Sequence, residues 1–266
     1  EECSLIHLDE NKDSTLNCDE SEHSAYRGIV GQLQWYQVQT GPQYAFEVSR
    51  LASSLATPHV SDLHRANAVL KRIYKQNDTN HLVYRKLKNP RLVFHVDSGF
   101  HTNDDRTSQC GQVIMLVDEP DPWGYCRVGG ILDWKSSKIA RVCVSTMAAE
   151  TLAASATFTS GDYMRGMVKF LGLVDEDTTG WVYSDARCLT DSAHTDTTPS
   201  QKGLLTDLAL IRQRVNEPKI NRLVHIPTDE MVADGLTKFQ PSSLISRIMN
   251  EELNVIYAPT WEIYAR

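Results

Sequence analysis

Arg91 to Gly99, RLVFHVDSG, is the stretch on which the reading of this chain turns. Leu92, Phe94 and Val96 alternate with Val93, His95 and Asp97, the period of two that sends a strand's side chains to opposite faces. Ser98-Gly99 ends the run with turn chemistry, so the strand delivers one carboxylate, Asp97, to the point where it breaks. Unpaired in an apolar setting, such an acid costs several kcal/mol or stays protonated. A cation, a shell of hydrogen-bond donors or a bound metal must accompany it, and the rest of the chain is read for those partners.

Working outward on the C-terminal side, a loop over 101–106 leads to two further strand patterns, Gln109 to Val117 and Tyr125 to Trp134. Pro120-Asp121-Pro122 and Gly124 separate them, and three strands in succession predict an antiparallel meander. Asp104 and Asp105 in the loop are read as ordinary turn acids, not ligands. Ser145-Thr146 precedes a helical run, 147–171, with Ala148, Ala149, Ala153, Ala154 and Ala156 allowing close approach to a sheet. Glu150 lies in or near its first turn, where the helix dipole favours an ionised carboxylate. Trp181 to Asp185, WVYSD, repeats the first device, a short strand ending in an aspartate. A helical region reaching Arg214, a strand over 222–226 and a last helix from Pro227-Thr228 follow, with Asp234 in the last helix's first two turns.

Asp97, Glu150, Asp185 and Asp234 thus fall at a strand end, a helix start, a strand end and a helix start, the edges around which a sheet-centred site forms. Phosphodiester hydrolysis with two divalent ions about 3.5–4 Å apart needs several hard oxygen ligands of this kind. Neither a GxSxG nucleophile elbow nor a GxxxxGK[ST] phosphate loop occurs. Six cysteines without a CxxC pair or a histidine at zinc spacing point to reduced thiols, and a lone histidine such as His95, His194 or His225 is left out of the site.

On the N-terminal side, 26–75 reads as helical. Its marks are an apolar stretch at 29–38, the turn Thr40-Gly41-Pro42, Phe46, Val48, Leu51 and Leu55 at helical spacing, and a helix after Pro58 with Ser61 as N-cap. Lys71, Arg72, Lys75, Arg85, Lys86, Lys88 and Arg91 then face the single acid Asp78, with Tyr74 and Tyr84 interleaved. This segment is read as a nucleic-acid contact tracking a phosphate backbone, with a solvated basic face as the alternative. Lys202 is read as a further phosphate contact. The net charge of −7 sits wholly in 1–23, where Glu1, Glu2, Asp9, Glu10, Asp13, Asp19, Glu20 and Glu22 outnumber Lys12, so that segment is expected to be a flexible acidic tail. No run of about 18 apolar residues and no signal-peptide pattern is present, so the reading is intracellular, without a membrane partner.

The motifs around these acids resemble the C-terminal part of a copia-type retrotransposon polyprotein. VFHVDSGF with NDDRTSQCG, LDWKSSK, VSTMAAETLAA, VYSDARCL and HIPTDEMVADGLTK are similar, in order, to the segments of the family's ribonuclease H domain. YRGIVGQLQWYQVQTGPQYAFEVSRLASSL resembles the end of its reverse transcriptase, beyond the catalytic palm. The resemblance implies an α/β (α+β) fold, a ribonuclease H-like five-stranded mixed sheet flanked by helices and preceded by a small helical segment. The implied organisation is a tail over 1–23, a thumb- or connection-like segment over 24–90, the ribonuclease H-like domain over 91–250 and an extension over 251–266. It further implies two Mg²⁺ ions, with Mn²⁺ able to substitute. Asp97 would bridge them, Glu150 and Asp185 would complete the leaving-group side, and Asp234 would hold the ion that activates water. The reaction implied is hydrolysis of RNA in an RNA/DNA hybrid, inside the cell, in a cytoplasmic particle or the nucleus, beside the rest of the polyprotein. No self-sufficient polymerase activity is expected, because no Tyr-x-Asp-Asp motif occurs. Ala186-Arg187 stands where many relatives have Asn-Gln, and no histidine loop precedes the last acid. The alternatives are a catalytically inactive scaffold or nucleic-acid binder of the same fold, and a DNA strand-transfer enzyme, whose glutamate would come last and not second.

Overall fold

The computed structural model describes residues 4–7, 11–76, 81–118, 125–175, 178, 180–196, 199, 201–217, 221–239, 243–249 and 255–256. The chain divides into two compact units, Glu1–His81 and Leu82–Arg266.

In the first unit, helices α1 (Glu20–Gln39), α2 (Ala45–Ser53) and α3 (Val60–Gln76) enclose one apolar cluster. Tyr26, Ile29, Val30 and Leu33 of α1 pack with Val48 and Leu51 of α2 and with Leu63, Ala66, Val69, Leu70 and Ile73 of α3. The recurrence at three and four residues that marks these helices in the sequence is the stripe they bury. Two boundaries differ from expectation. Helix α3 starts one residue before Ser61, and Asp62 accepts the His59 N–H at 3.0 Å. The acidic segment is not a free tail in its described part. Asp19 caps α1 in a capping box with Glu22, both bonds at 2.9 Å, and Lys12 reaches Glu22 at 2.7 Å. Ile6 exchanges two backbone hydrogen bonds with the Asn67 side chain, at 2.9 and 2.8 Å. Composition alone does not separate capping acids from solvated ones.

The second unit is a five-stranded mixed sheet flanked by helices, as expected of a ribonuclease H-like chain. Strands β1 (Pro90–Gly99), β2 (Gln109–Asp118) and β4 (Val128–Lys138) form the predicted antiparallel meander. A two-residue strand β3 (Tyr125–Cys126) pairs instead with β7 (Val255–Ile256). Strands β5 (Gly180–Ser184) and β6 (Asn221–His225) run parallel to β1, and the order across the sheet is β4-β2-β1-β5-β6. The central place of β1 explains why its pattern is nearly all apolar, since a strand covered on both faces has no solvent side.

Helix α4 (Thr146–Phe170) lies on β1 and β2, with Ser145 as its N-cap accepting the Ala148 N–H at 3.1 Å. Its Ala153, Ala154 and Phe158 meet Leu92, Phe94 and Val96 in the core. At Gly161 a Cβ would stand 3.0 Å from the Phe94 ring, so the helix approaches β1 closely there. Helices α5 (Arg187–Ala193) and α6 (Leu205–Asn216) split what the sequence suggests is one helical region. The predicted last helix from Pro227 is replaced by two 3₁₀ turns, Thr228–Glu230 and Val232–Leu236, and a helix, α7, forms only at Ser243–Met249. Among the described residues, no helix is long and apolar enough to cross a membrane, and Cys18, Cys110, Cys143 and Cys188 are free.

Candidate active site

Asp97 ends the apolar part of β1, and the parallel register His95 opposite Tyr183 puts Asp185 beside it two residues further on. Glu150 arrives from the second turn of α4, from the layer that covers the Leu92-Phe94-Val96 face. Asp97, Glu150 and Asp185 each offer a carboxylate oxygen, and the three lie within 4.8 Å of one another. Asp234 sits in the Val232–Leu236 turn, and its field reaches Asp97, but its carboxylate is engaged by Lys238.

Burial raises the pKa of two of the three acids. Asp97 is buried, and burial pushes its pKa up to about 6. The Thr237 hydroxyl and Lys238 oppose the rise, while Asp185 and Asp234 add to it. Glu150 is pushed up to about 8, first by burial and then by the charge of Asp97. Ser98 groups lie near enough to oppose that rise, yet among the described residues Glu150 Oε2 has no hydrogen-bond partner and Ser98 Oγ makes no bond of ordinary geometry. The dipole of α4, expected to favour ionised Glu150, is outweighed by loss of water. Three carboxylates in mutual reach, one of them with a buried oxygen that no described residue hydrogen-bonds, fit a divalent cation.

Neutral donors complete the arrangement. Thr228 Oγ1 donates to Asp185 Oδ2 at 2.8 Å, and the buried Thr237 hydroxyl donates to Asp97 Oδ2. Sequence reasoning gave neither threonine a role. Their trace was the pair of hydroxyls bracketing the last acid in HIPTDEMVADGLTK. The remaining features stay outside the site. Asp105 is tied to Lys138 at 2.6 Å and to Thr107, and Lys138 holds its carboxyl down at about 2, in keeping with a turn acid. His95 is wholly buried beside Tyr183, and burial holds its pKa down at about 3.

Lys71, Arg72 and Lys75 belong to the first unit, where Arg72 pairs with Glu47. Arg85, Lys86 and Lys88 precede β1, whose far end carries Asp97, roughly 23 Å of strand away. Lys202 opens a short turn beside the start of α4, where its neighbour Gln201 donates to Ser145 Oγ at 2.9 Å. Of the four in the second unit, it is therefore Lys202 that stands on the helix end from which Glu150 projects.

No protein-family model matches the chain, and no curated protein matches it. Among solved structures it is similar to LC11-RNase H1, isolated from compost by a metagenomic approach. The identity is 18% over 55% of this chain and 92% of that one, with a TM-score of 0.38. It is similar to RNase H1 from the halophilic archaeon Halobacterium salinarum NRC-1 at 15% identity, covering 56% of this chain and 95% of the other, with a TM-score of 0.38. A third similarity is to the prototype foamy virus protease-reverse transcriptase, at 12% identity over 65% of this chain and 22% of that one, with a TM-score of 0.35. Likenesses this distant assign no activity, and the case for one stands on the acids.

Proposed function

We propose that this chain is a metal-dependent endoribonuclease of the ribonuclease H type, hydrolysing the RNA strand of RNA/DNA hybrids, and that it derives from a copia-type retroelement. In this reading the helical unit is the C-terminal part of a reverse transcriptase, the polyprotein's polymerase palm is its partner, and the protein acts inside the cell. The observation that carries the reading is the convergence of Asp97, Glu150 and Asp185, with a buried Glu150 oxygen that no described residue hydrogen-bonds.

Asp97, Glu150, Asp185 and Asp234 would hold two Mg²⁺ ions, with Mn²⁺ able to substitute. Bound there, divalent ions would neutralise charge on the phosphodiester and lower the pKa of water. The protein's own part is positioning. Three acids come from two strand ends and one helix and so are fixed by the sheet, while Thr228 and Thr237 each fix one oxygen. Lys238 holds Asp234 and would have to release it for a second ion to bind. Substrate affinity would come mainly from phosphate neutralisation, with the RNA recognised by duplex shape and 2′-hydroxyls.

The test is cleavage of RNA labelled within a hybrid, in Mg²⁺, Mn²⁺, Ca²⁺ or EDTA, with single-stranded RNA and an Asp97→Asn variant alongside. Asn nearly preserves the shape of Asp and removes an anionic ligand, so cleavage should vanish while fold and hybrid binding persist. Equal cleavage by wild type and variant, or cleavage in EDTA, refutes the mechanism. Hybrid binding by the wild type without cleavage in any metal would mark an inactive scaffold.

A further inference from the structure

The buried Thr237 hydroxyl donates to Asp97 Oδ2 and lies 3.1 Å from the Asp234 carbonyl oxygen. A hydroxyl has one proton to give, and Asp97 is the nearer acceptor. The surrounding backbone is shaped to seat this residue. Gly111 lies directly across from Asp97 in the β1–β2 pair, and a Cβ there would stand 2.8 Å from Thr237 Cγ2 and 2.9 Å from the Ala233 carbonyl oxygen. At Gly99 a Cβ would stand 2.7 Å from the Thr237 carbonyl oxygen. The absence of side chains at both glycines is what lets the turn lie on the end of β1 and β2.

A second set of bonds clamps the same turn. Ser136 Oγ donates to the Leu236 carbonyl at 2.6 Å and accepts from Gln109 Nε2 at 2.8 Å. Gln109 Oε1 in turn accepts from Asn103 Nδ2 at 3.1 Å. Thr237 is therefore held through its neighbour's carbonyl, by packing on two glycines, and by its own hydroxyl on the carboxylate. An Asp97 oxygen tied to a neutral donor fixes the plane of that carboxylate and leaves the other oxygen for a cation.

We propose that Thr237 is a positioning residue, whose hydroxyl fixes the Asp97 carboxylate in the orientation that binds a divalent cation together with Glu150 and Asp185. This rests on the metal-site reading above. It goes beyond that reading in assigning Thr237 a part that is exerted through Asp97. Donors that orient a metal ligand typically contribute 10- to 100-fold to metal affinity.

The test is calorimetric titration of Mn²⁺ into the full chain without nucleic acid. It compares wild type, Thr237→Val, Thr237→Ala and Thr237→Ser, each checked for folding by circular dichroism, with Asp97→Asn as the non-binding control. Thr237→Val keeps the shape and deletes the donor, and should weaken Mn²⁺ binding about 10- to 100-fold. Thr237→Ala should lose as much, and Thr237→Ser, which keeps the hydroxyl, should stay near wild type. If Thr237→Val does not fold, the Ala and Ser pair decides. Wild-type affinity in Thr237→Val or Thr237→Ala overturns the proposal, and so does an equal loss in Thr237→Ser, which would reflect packing on Gly111. A wild type that binds no Mn²⁺ overturns the metal-site reading itself, and this proposal with it.

Discussion

Without metal, the site should cost the protein stability, and Glu150→Gln should recover it in a pH-dependent way. Glu150 is 8% exposed, and in the folded chain its pKa is pushed from 4.5 to about 8. The sign follows from linkage. A carboxyl whose folded pKa is raised keeps its stability below the unfolded pKa and loses it as pH climbs through the folded one. Metal-free wild type should therefore weaken between about pH 4.5 and pH 8, with a ceiling near 5 kcal/mol at about 1.4 kcal/mol per pKa unit. Water entering the cluster reduces that ceiling, so about 2–4 kcal/mol is expected. Glutamine carries the shape of the protonated acid at every pH and escapes the loss. For a unit of this size, 1 kcal/mol corresponds to about 2–4 °C.

In EDTA at pH 9, the melting transition of the sheet-containing unit should therefore lie about 5–15 °C higher in Glu150→Gln than in wild type. At pH 4.5 the two should nearly coincide. Scanning calorimetry of both proteins across this range gives a double difference from which titrations elsewhere in the chain cancel. Excess Mn²⁺ at pH 8 should raise the wild type by mass action and the variant much less. A variant–wild-type difference that stays flat with pH, or that turns destabilising at pH 9, would falsify the picture of a desolvated, unpartnered Glu150.

Mn²⁺ affinity should rise with pH between about 6 and 8, because protons on Asp97 and Glu150 must leave before the ion binds. Calorimetry in buffers of different ionisation heat would detect the released protons, and pH-independent affinity would count against the assignment. Gly111→Ala should lower the stability of the second unit by about 1–3 kcal/mol, since the new Cβ meets the Ala233 carbonyl, which cannot rotate away. Chemical denaturation reads this, and a neutral result would show that the turn at 232–237 is not seated on β2. Lys202→Glu should weaken hybrid binding and flatten its salt dependence, whereas Lys88→Glu, beyond the opposite end of β1, should change little. Filter binding across a salt series separates the two, and a larger effect at Lys88 would place the interface at the basic segment before β1.

The sequence showed most where one local cause decides structure. RLVFHVDSG and WVYSD were legible because strand period and the break after the acid are contained in a few residues, and parallel pairing of the two strands then places Asp97 and Asp185 side by side. Glu150 was legible as a position but not as a charge state. Its helix dipole could be read from the chain, whereas the burial that overrides the dipole depends on packing of α4 against β1. The segment after Pro227 was least legible. Its acids and apolar residues suit a helix, yet the backbone takes two 3₁₀ turns, the second of which, with Thr237 after it, is seated on Gly99 and Gly111, with Ser136 holding Leu236 from a strand 100 residues earlier. No local propensity encodes such an anchor. Because that same anchoring brings the Thr237 hydroxyl to Asp97, the part of the fold hidden from the sequence is also a part that holds the Asp97 carboxylate.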